Sequence, residues 1–382
     1  MTLIQAKKRR AELVTTATRM RNLVASLRGE AAIAVDTESN GFHRYPERVC
    51  LVQIGVPGVS YIIDPVTIDD ILPLGELLAD PDVQKIIHSA DYDLRSLDRE
   101  WGFGIRNLYD TSVAAHFAGL DRLGLSNTLE QFLAVTLSKE KKLQRADWSM
   151  RPLSREALDY AADDVAYLLP LREVLDAKLG ELGRADWVRE ECERLEDLRY
   201  TPPEPPGEWV FSMRGSRKLD DRGLAVLQKL ILMREREARR RNRPPFRILS
   251  DEALLTLAEN PKTELGKVHG LTDVVLHRIG KDLRQALIEG QAAPPIKRPP
   301  PERPARKPPT KNEQERFQKL RTWRMEQGKR LELDPALVWP MPSLERLARD
   351  PGSLDAELRS TEVRRWQAKA FSDSLRKDLA RL

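Results

Sequence analysis

The chain's 382 residues suffice for two or three domains that each bury a core. A composition of 41% hydrophobic and 32% charged residues, with mean hydropathy −0.51, leaves apolar runs far too short to cross a bilayer, so no membrane association is expected. The net charge of +5 and pI near 9.1 favour a polyanionic partner, and two cysteines, Cys50 and Cys192, make neither a disulfide framework nor a zinc site, which suits a cytoplasmic chain.

In chain order, the opening MTLIQAKKRR has a basic cluster after a brief apolar start and no apolar run behind it, so no secretory signal is expected. The first strand is expected at Ala31–Asn40 (AAIAVDTESN), where a short apolar run ends in Asp36-Thr37-Glu38 and breaks at Asn40-Gly41. On a strand, Asp36 and Glu38 project from one side. Two carboxylates held so close repel unless a cation lies between them, and a hard divalent ion suits an all-oxygen site. Alone, such a pair is usually a solvated loop end. Its weight comes from the acids further along.

Val49–Val56 and Val59–Asp64 follow, joined by Pro57-Gly58, which predicts an antiparallel meander of the first three strands. Helical spacing begins at Ile71, Gln84–Ser89 reads as a strand, Asp91–Glu100 as a helix and Arg106–Tyr109 as a further strand. Helices are expected to begin near Thr111, Asn127 and Ser154. The result is an α/β fold with a mixed sheet and helices on its faces. Asp93 falls early in a helix just after a strand, and Tyr160 and Asp164 share a helical face one turn apart. Asp91 and Asp163 sit beside these acids, and spacing alone does not choose among them.

Asp36-Thr-Glu38, His88-Ser-Ala-Asp-Tyr-Asp93-Leu94 and Tyr160-Ala-Ala-Asp163-Asp164-Val resemble the three motifs of the ribonuclease D family, the tyrosine-containing branch of the four-acid 3′→5′ exonucleases. Asp147-Trp148-Ser-Met-Arg151-Pro152-Leu153 resembles the signature that precedes the third motif there. The likeness covers Ala31–Leu175. It implies an RNase H-like exonuclease domain, with Asp36, Glu38, Asp93 and Asp164 as ligands of two divalent metal ions (Mg²⁺ or Mn²⁺) and Tyr160 orienting the attacking water. The family pattern takes Asp93 over Asp91 and Asp164 over Asp163. Ala146 departs from the Ser or Thr common before Asp-Trp, which removes no ligand. His88 is read as packing, and Asp110 as a helix N-cap. Lys139–Arg145 is read as a solvated loop, with phosphate contact as the competing reading.

Tyr200–Gly207 (YTPPEPPG) breaks the chain, and Leu219–Glu289 is helical, resembling the HRDC-type nucleic-acid-binding domain that often follows this nuclease. Pro294–Thr310 holds eight prolines with Lys297, Arg298, Arg303, Arg306 and Lys307, a basic, extended linker. Beyond it, Trp323 onward and Leu344–Ala348 line up with Met233 onward and Leu254–Ala258, always 90 residues apart, which argues for a second helical copy. The expected domains are an exonuclease domain over 1–200, HRDC over 215–291, linker over 292–312 and a divergent HRDC-like domain over 313–382. Arg239, Arg240, Arg241 and Arg243 are expected to bind nucleic acid, because like charges packed together cost stability unless an anion meets them. The expected function is metal-dependent 3′→5′ exoribonuclease action on RNA ends such as those of tRNA precursors, by a monomer. The alternatives are a DNA or dual-substrate exonuclease and a non-catalytic binding scaffold.

Overall fold

The computed structural model describes residues 10–137, 141–300 and 308–381. The N-terminal basic residues through Arg9, Lys139 and Glu140 of the charge run, and Arg303, Arg306 and Lys307 of the linker lie outside the described residues.

A six-stranded mixed sheet is built from β1 (Arg10–Val14), β2 (Ala32–Ser39), β3 (Val49–Val56), β4 (Val59–Ile63), β5 (Gln84–Ile87) and β6 (Leu108–Asp110). Its spatial order is β1-β4-β3-β2-β5-β6. The expected meander is β2-β3-β4, antiparallel throughout, while β5 runs parallel to β2, and β6 to β5. Strand β3 (VCLVQIGV) is buried along nearly its whole length because it is covered on both faces, which is why it reads as a continuous apolar run. Strand β1 (RAELV) lacks such a pattern. It joins the edge by parallel pairing with β4, Arg10 opposite Val59 through Val14 opposite Ile63, a pairing set by the far side of the fold.

The Arg155–Ala166 helix lies across β2, β3 and β4. Ser154 caps it, accepting the Ala157 amide at 3.2 Å. Glycine makes the close approach possible, since Gly55 on β3 faces Ala34 of β2 and the backbone of Val165. The loop before the helix is clamped by Arg151, whose guanidinium grips the buried Asp64 carboxylate at 2.6 and 2.7 Å. The same group donates to the carbonyls of Trp148 (2.7 Å) and Cys50 (3.1 Å). A two-pronged pair of this kind fixes orientation as well as charge.

Two helical units follow. The first has helices Asp221–Arg241, Pro245–Ile248, Asp251–Glu259 and Asp273–Ala292, around a core of its own that includes Leu224, Leu227, Leu230, Leu254 and Leu283. The second begins with Lys311–Leu331, Pro335–Val338 and Met341–Arg349, each starting 90 residues after its counterpart. The long helices end alike, on Asn242 and Glu332, both left-handed at φ 48°. The second unit's core is continuous with that of the sheet. Trp366 stacks on Trp187 at 4.6 Å, Arg364 pairs with Glu191 at 3.0 Å, and Arg184 donates to the carbonyls of Phe117 and Leu331.

A Cβ added at Gly55 would lie 2.8 Å from the Val165 carbonyl oxygen, so backbone must move. Gly55→Ala is expected to destabilise the protein by about 1–3 kcal/mol, the usual cost of overpacking. Urea denaturation checks this, and a change below about 0.5 kcal/mol would show that the helix is not seated as described.

Candidate active site

Alternation along β2 puts Ala34, Asp36 and Glu38 on the face covered by the Arg155–Ala166 helix. The register of β2 against β3 shifts between Glu38 and Ser39, so regular pairing ends just past the second acid. The helix brings Asp164 to the same place. Carboxylate oxygens of Asp36, Glu38 and Asp164 all lie within 4.8 Å of one another. Asp93 stands outside this tight triplet, buried in the first turn of the Asp91–Trp101 helix. Its Oδ1 accepts the Thr37 hydroxyl at 2.6 Å, which ties it to the residue between the two strand acids.

The neighbouring acids are turned elsewhere. Asp91 is exposed and pairs with Arg95 at 2.9 Å, and Asp163 is exposed on the helix. Asp110 caps the Thr111–Phe117 helix as expected. It also accepts the amides of Ser89 (3.0 Å) and Ala90 (2.8 Å), and so shapes the left-handed turn at Ser89 that leads to Asp93. His88 is packed, with Nδ1 against the Thr111 hydroxyl and Nε2 against the Leu123 carbonyl.

The electrostatics follow from this crowding. Burial, then Asp93, Asp164 and Glu38, raise Asp36 well above the carboxylate range. Burial, then Asp164 and Asp93, push Glu38 up to about 9. Burial carries Asp93 to about 7, and burial with Asp163 carries Asp164 to about 7. Tyr160 is raised by burial and by Asp164, Glu38 and Asp36, so its phenol stays protonated at neutral pH. Among the described residues, no arginine or lysine is among the main groups acting on these four acids. An all-oxygen cluster whose charge no side chain offsets fits a divalent cation.

The contacts of Thr37 and Arg151, both within the motifs, and the place of Gln53 were not legible in the sequence. Thr37 and Arg151 act through their partners. Gln53, directly across from Asp36 on β3, is fully buried, and neither of its amide atoms has a partner among the described residues. Such an orphan costs about 1–3 kcal/mol. A glutamine inside VCLVQIGV was the one available signal.

Three arginines of the expected cluster have carboxylate partners on their own helix. Arg239 pairs with Glu235 at 2.7 Å and lies over the Tyr45 ring, while Arg240 and Arg241 share the buried Glu237 at 2.6 and 2.9 Å. Those contacts relieve the repulsion from which an anion was inferred. Tyr45 also donates its hydroxyl to Glu235 and its amide to Asn242, which joins the loop after β2 to the first helical unit. Arg241, besides its bond to Glu237, and Arg243 line a depression of about 690 Å³ with Arg247, Arg278, Ile248, Val275 and Ile279.

A 3′-5′ exonuclease family model matches residues 11–180, and an HRDC domain model matches residues 223–287. Ribonuclease D of Sphingobium indicum is 34% identical over 303 residues, spanning 78% of this chain and 76% of that protein. The chain belongs to the ribonuclease D family. Ribonuclease D of Gluconacetobacter diazotrophicus is 33% identical over 288 residues, 74% of this chain and 72% of that one. Escherichia coli RNase D, an exoribonuclease involved in structured RNA processing, shares the fold over 97% of this chain and 99% of its own, with TM-score 0.69 at 24% identity. The catalytic core of RRP6 from Trypanosoma brucei matches with TM-score 0.66 at 26% identity, over 76% and 82% of the two chains. Membership makes this protein a 3′→5′ exoribonuclease with a mixed-sheet, RNase H-like exonuclease domain and an HRDC helical domain. Among the described residues no helix is long and apolar enough to cross a membrane.

Because these carboxyls keep their protons to a higher pH in the folded chain than at their unfolded values near ~4, the folded state binds more protons between about pH 4 and about 9. Their contribution to stability therefore falls as pH rises through that window. The Tm of EDTA-treated protein is expected to lose this contribution between pH 5 and 9, and saturating Mn²⁺ or Glu38→Gln is expected to flatten the profile. Superimposable profiles with and without the ion would count against a cation site.

Proposed function

We propose that this exoribonuclease trims the 3′ ends of RNAs such as tRNA precursors, with Asp36, Glu38, Asp93 and Asp164 as ligands of two divalent ions, Mg²⁺ or Mn²⁺. The observation that carries the assignment is the uncompensated triplet of Asp36, Glu38 and Asp164 with the protonated Tyr160 phenol one helical turn from Asp164. When bound, the ions supply activation of water and charge neutralisation at the phosphodiester. The chain's part is to hold the acids, orient the water and guide the strand.

Asp36 and Glu38 are fixed by strand pairing on rigid backbone, and Asp93 is held by the Thr37 hydroxyl. Tyr160 is a hydrogen-bonding group and not a base, since its proton stays on. Its hydroxyl orients the attacking water. Hydrolysis adds that water's oxygen to phosphorus and breaks the bond to the 3′-oxygen, which takes a proton. A 5′-nucleoside monophosphate leaves and a new 3′ end remains.

For the strand's path we assign Arg241 and Arg243 of the expected arginines, joined by Arg247 and Arg278, while Arg239 and Arg240 serve the contact with Glu235, Glu237 and Tyr45. Neither Arg243, Arg247 nor Arg278 forms an ion pair among the described residues, and no carboxylate lines the depression. Arg247 donates to the Phe42 carbonyl at 2.7 Å, four residues past Glu38, which sets the depression within a short stretch of chain from the acids. We further propose a cytoplasmic monomer.

Three results test this reading. A 5′-labelled RNA is expected to shorten from its 3′ end in Mg²⁺ or Mn²⁺ and not in EDTA. Comparable degradation of matched DNA would move the substrate assignment to a dual-substrate exonuclease. Asp93→Asn is expected to abolish hydrolysis while leaving RNA affinity nearly unchanged, and equal rates in variant and wild type would remove Asp93 from the site. Replacing Arg243 and Arg278 together by Glu is expected to lower the salt slope of RNA binding by about 1 for each phosphate no longer neutralised. An unchanged slope would place the strand elsewhere.

A further inference from the structure

Gln53 lies midway along β3, opposite Asp36 on β2 and Ile62 on β4, and directly paired residues project on the same face of a sheet. Two residues one way, Gly55 backs onto Val165, and Ser60 opposite Gly55 donates its hydroxyl to the Ala162 carbonyl at 3.0 Å. Two residues the other way, Leu51 shares a cluster with Ala157 and Ala161. Gln53 is therefore enclosed between the sheet and the helix that carries Asp164, in the layer that also holds Asp36. Around it the face is apolar, with Leu51 and Ile62 fully buried, so packing alone would favour an aliphatic side chain. A buried polar amide with neither atom bonded among the described residues calls for a partner, and the residue directly opposite it on the neighbouring strand is Asp36.

We propose that the Gln53 carboxamide is a positioning residue for the cation site: its N–H donates to the carboxylate of Asp36, its direct cross-strand neighbour, in the cation-loaded protein. The proposal rests on the reading of Asp36, Glu38, Asp93 and Asp164 as cation ligands. A carboxylate that holds a cation is a charged acceptor, and hydrogen bonds to charged acceptors are shorter and stronger. Cation binding and amide pairing thus reinforce each other, as outer partners of metal ligands generally do.

The test uses the full chain, stripped with EDTA and titrated with Mn²⁺ alone, without RNA. Calorimetric affinity and Tm are measured for wild type, Gln53→Leu and Gln53→Met, the second fitting the space with an unbranched side chain. Both variants are expected to match or exceed the wild-type Tm without the ion. Both are expected to bind Mn²⁺ about 10–100-fold more weakly, with a smaller rise in Tm on adding it. Wild-type Mn²⁺ affinity in either well-folded variant would overturn the proposal, as would a lower cation-free Tm in both variants with an unchanged Mn²⁺-dependent rise. Wild-type protein that takes up no Mn²⁺ would instead overturn the underlying assignment of the acids.

Discussion

Mutual repulsion among carboxylates that share one small volume is the constraint around which the exonuclease fold is arranged. Left free, Asp36, Glu38 and Asp164 would separate into water or keep their protons, and the upward shifts at Asp36 and Glu38, from burial first and the neighbouring acids next, record that tension. The structure confines them by means that do not depend on the acids. β2 is held on one side by β3 and on the other by β5, and Gly55 lets the helix bearing Asp164 descend onto the sheet. The pair of Arg151 and Asp64 anchors the loop that leads into that helix. A site prepared in this way is costly without its cation and favourable with it, so binding and local rigidity are linked.

The two helical units show one pattern used in two ways. At equivalent positions, 90 residues apart, Asn242 and Glu332 end the long helices in the same left-handed conformation. Asn242 spends its side chain on the Tyr45 amide, so the first unit, with its own core, meets the exonuclease part through polar contacts beside the loop after β2. The second unit carries Trp323 where the first has Met233, and its Trp366 stacks on Trp187 within a core shared with the sheet. The first unit is thus placed near the acids by a small polar junction. The second braces the helices behind β6 by apolar burial, the larger driving force.

The arginine-rich end of the Asp221–Arg241 helix shows how charge counted along a chain differs from charge in space. Glu235 and Glu237 stand three and four residues before the arginines they bind, the spacing at which helical side chains meet. That spacing is present in the sequence, yet the unbroken run of one sign outweighs it when charge is counted residue by residue. Arg247 and Arg278 come from other helices, so the depression they form with Arg243 has no linear signature.

What the sequence by itself determined is whatever depends on short-range periodicity and local chemistry. The period of two along Ala32–Ser39 put Asp36 and Glu38 on one face, the period of the helix put Tyr160 with Asp164, and Asp110 declared itself as a cap. The resemblance of the motifs selected Asp93 and Asp164 over their neighbours, and the burial of Asp93 beside an exposed Asp91 agrees with that selection. Only the tertiary structure decided the pairing of β1 with β4, the clamp of Arg151 on Asp64, the unbonded amide of Gln53 and the merging of the second helical unit with the sheet's core. Each of these joins segments far apart in the chain, where no spacing rule operates. Their partners are fixed by which surfaces remain uncovered once the local elements have formed.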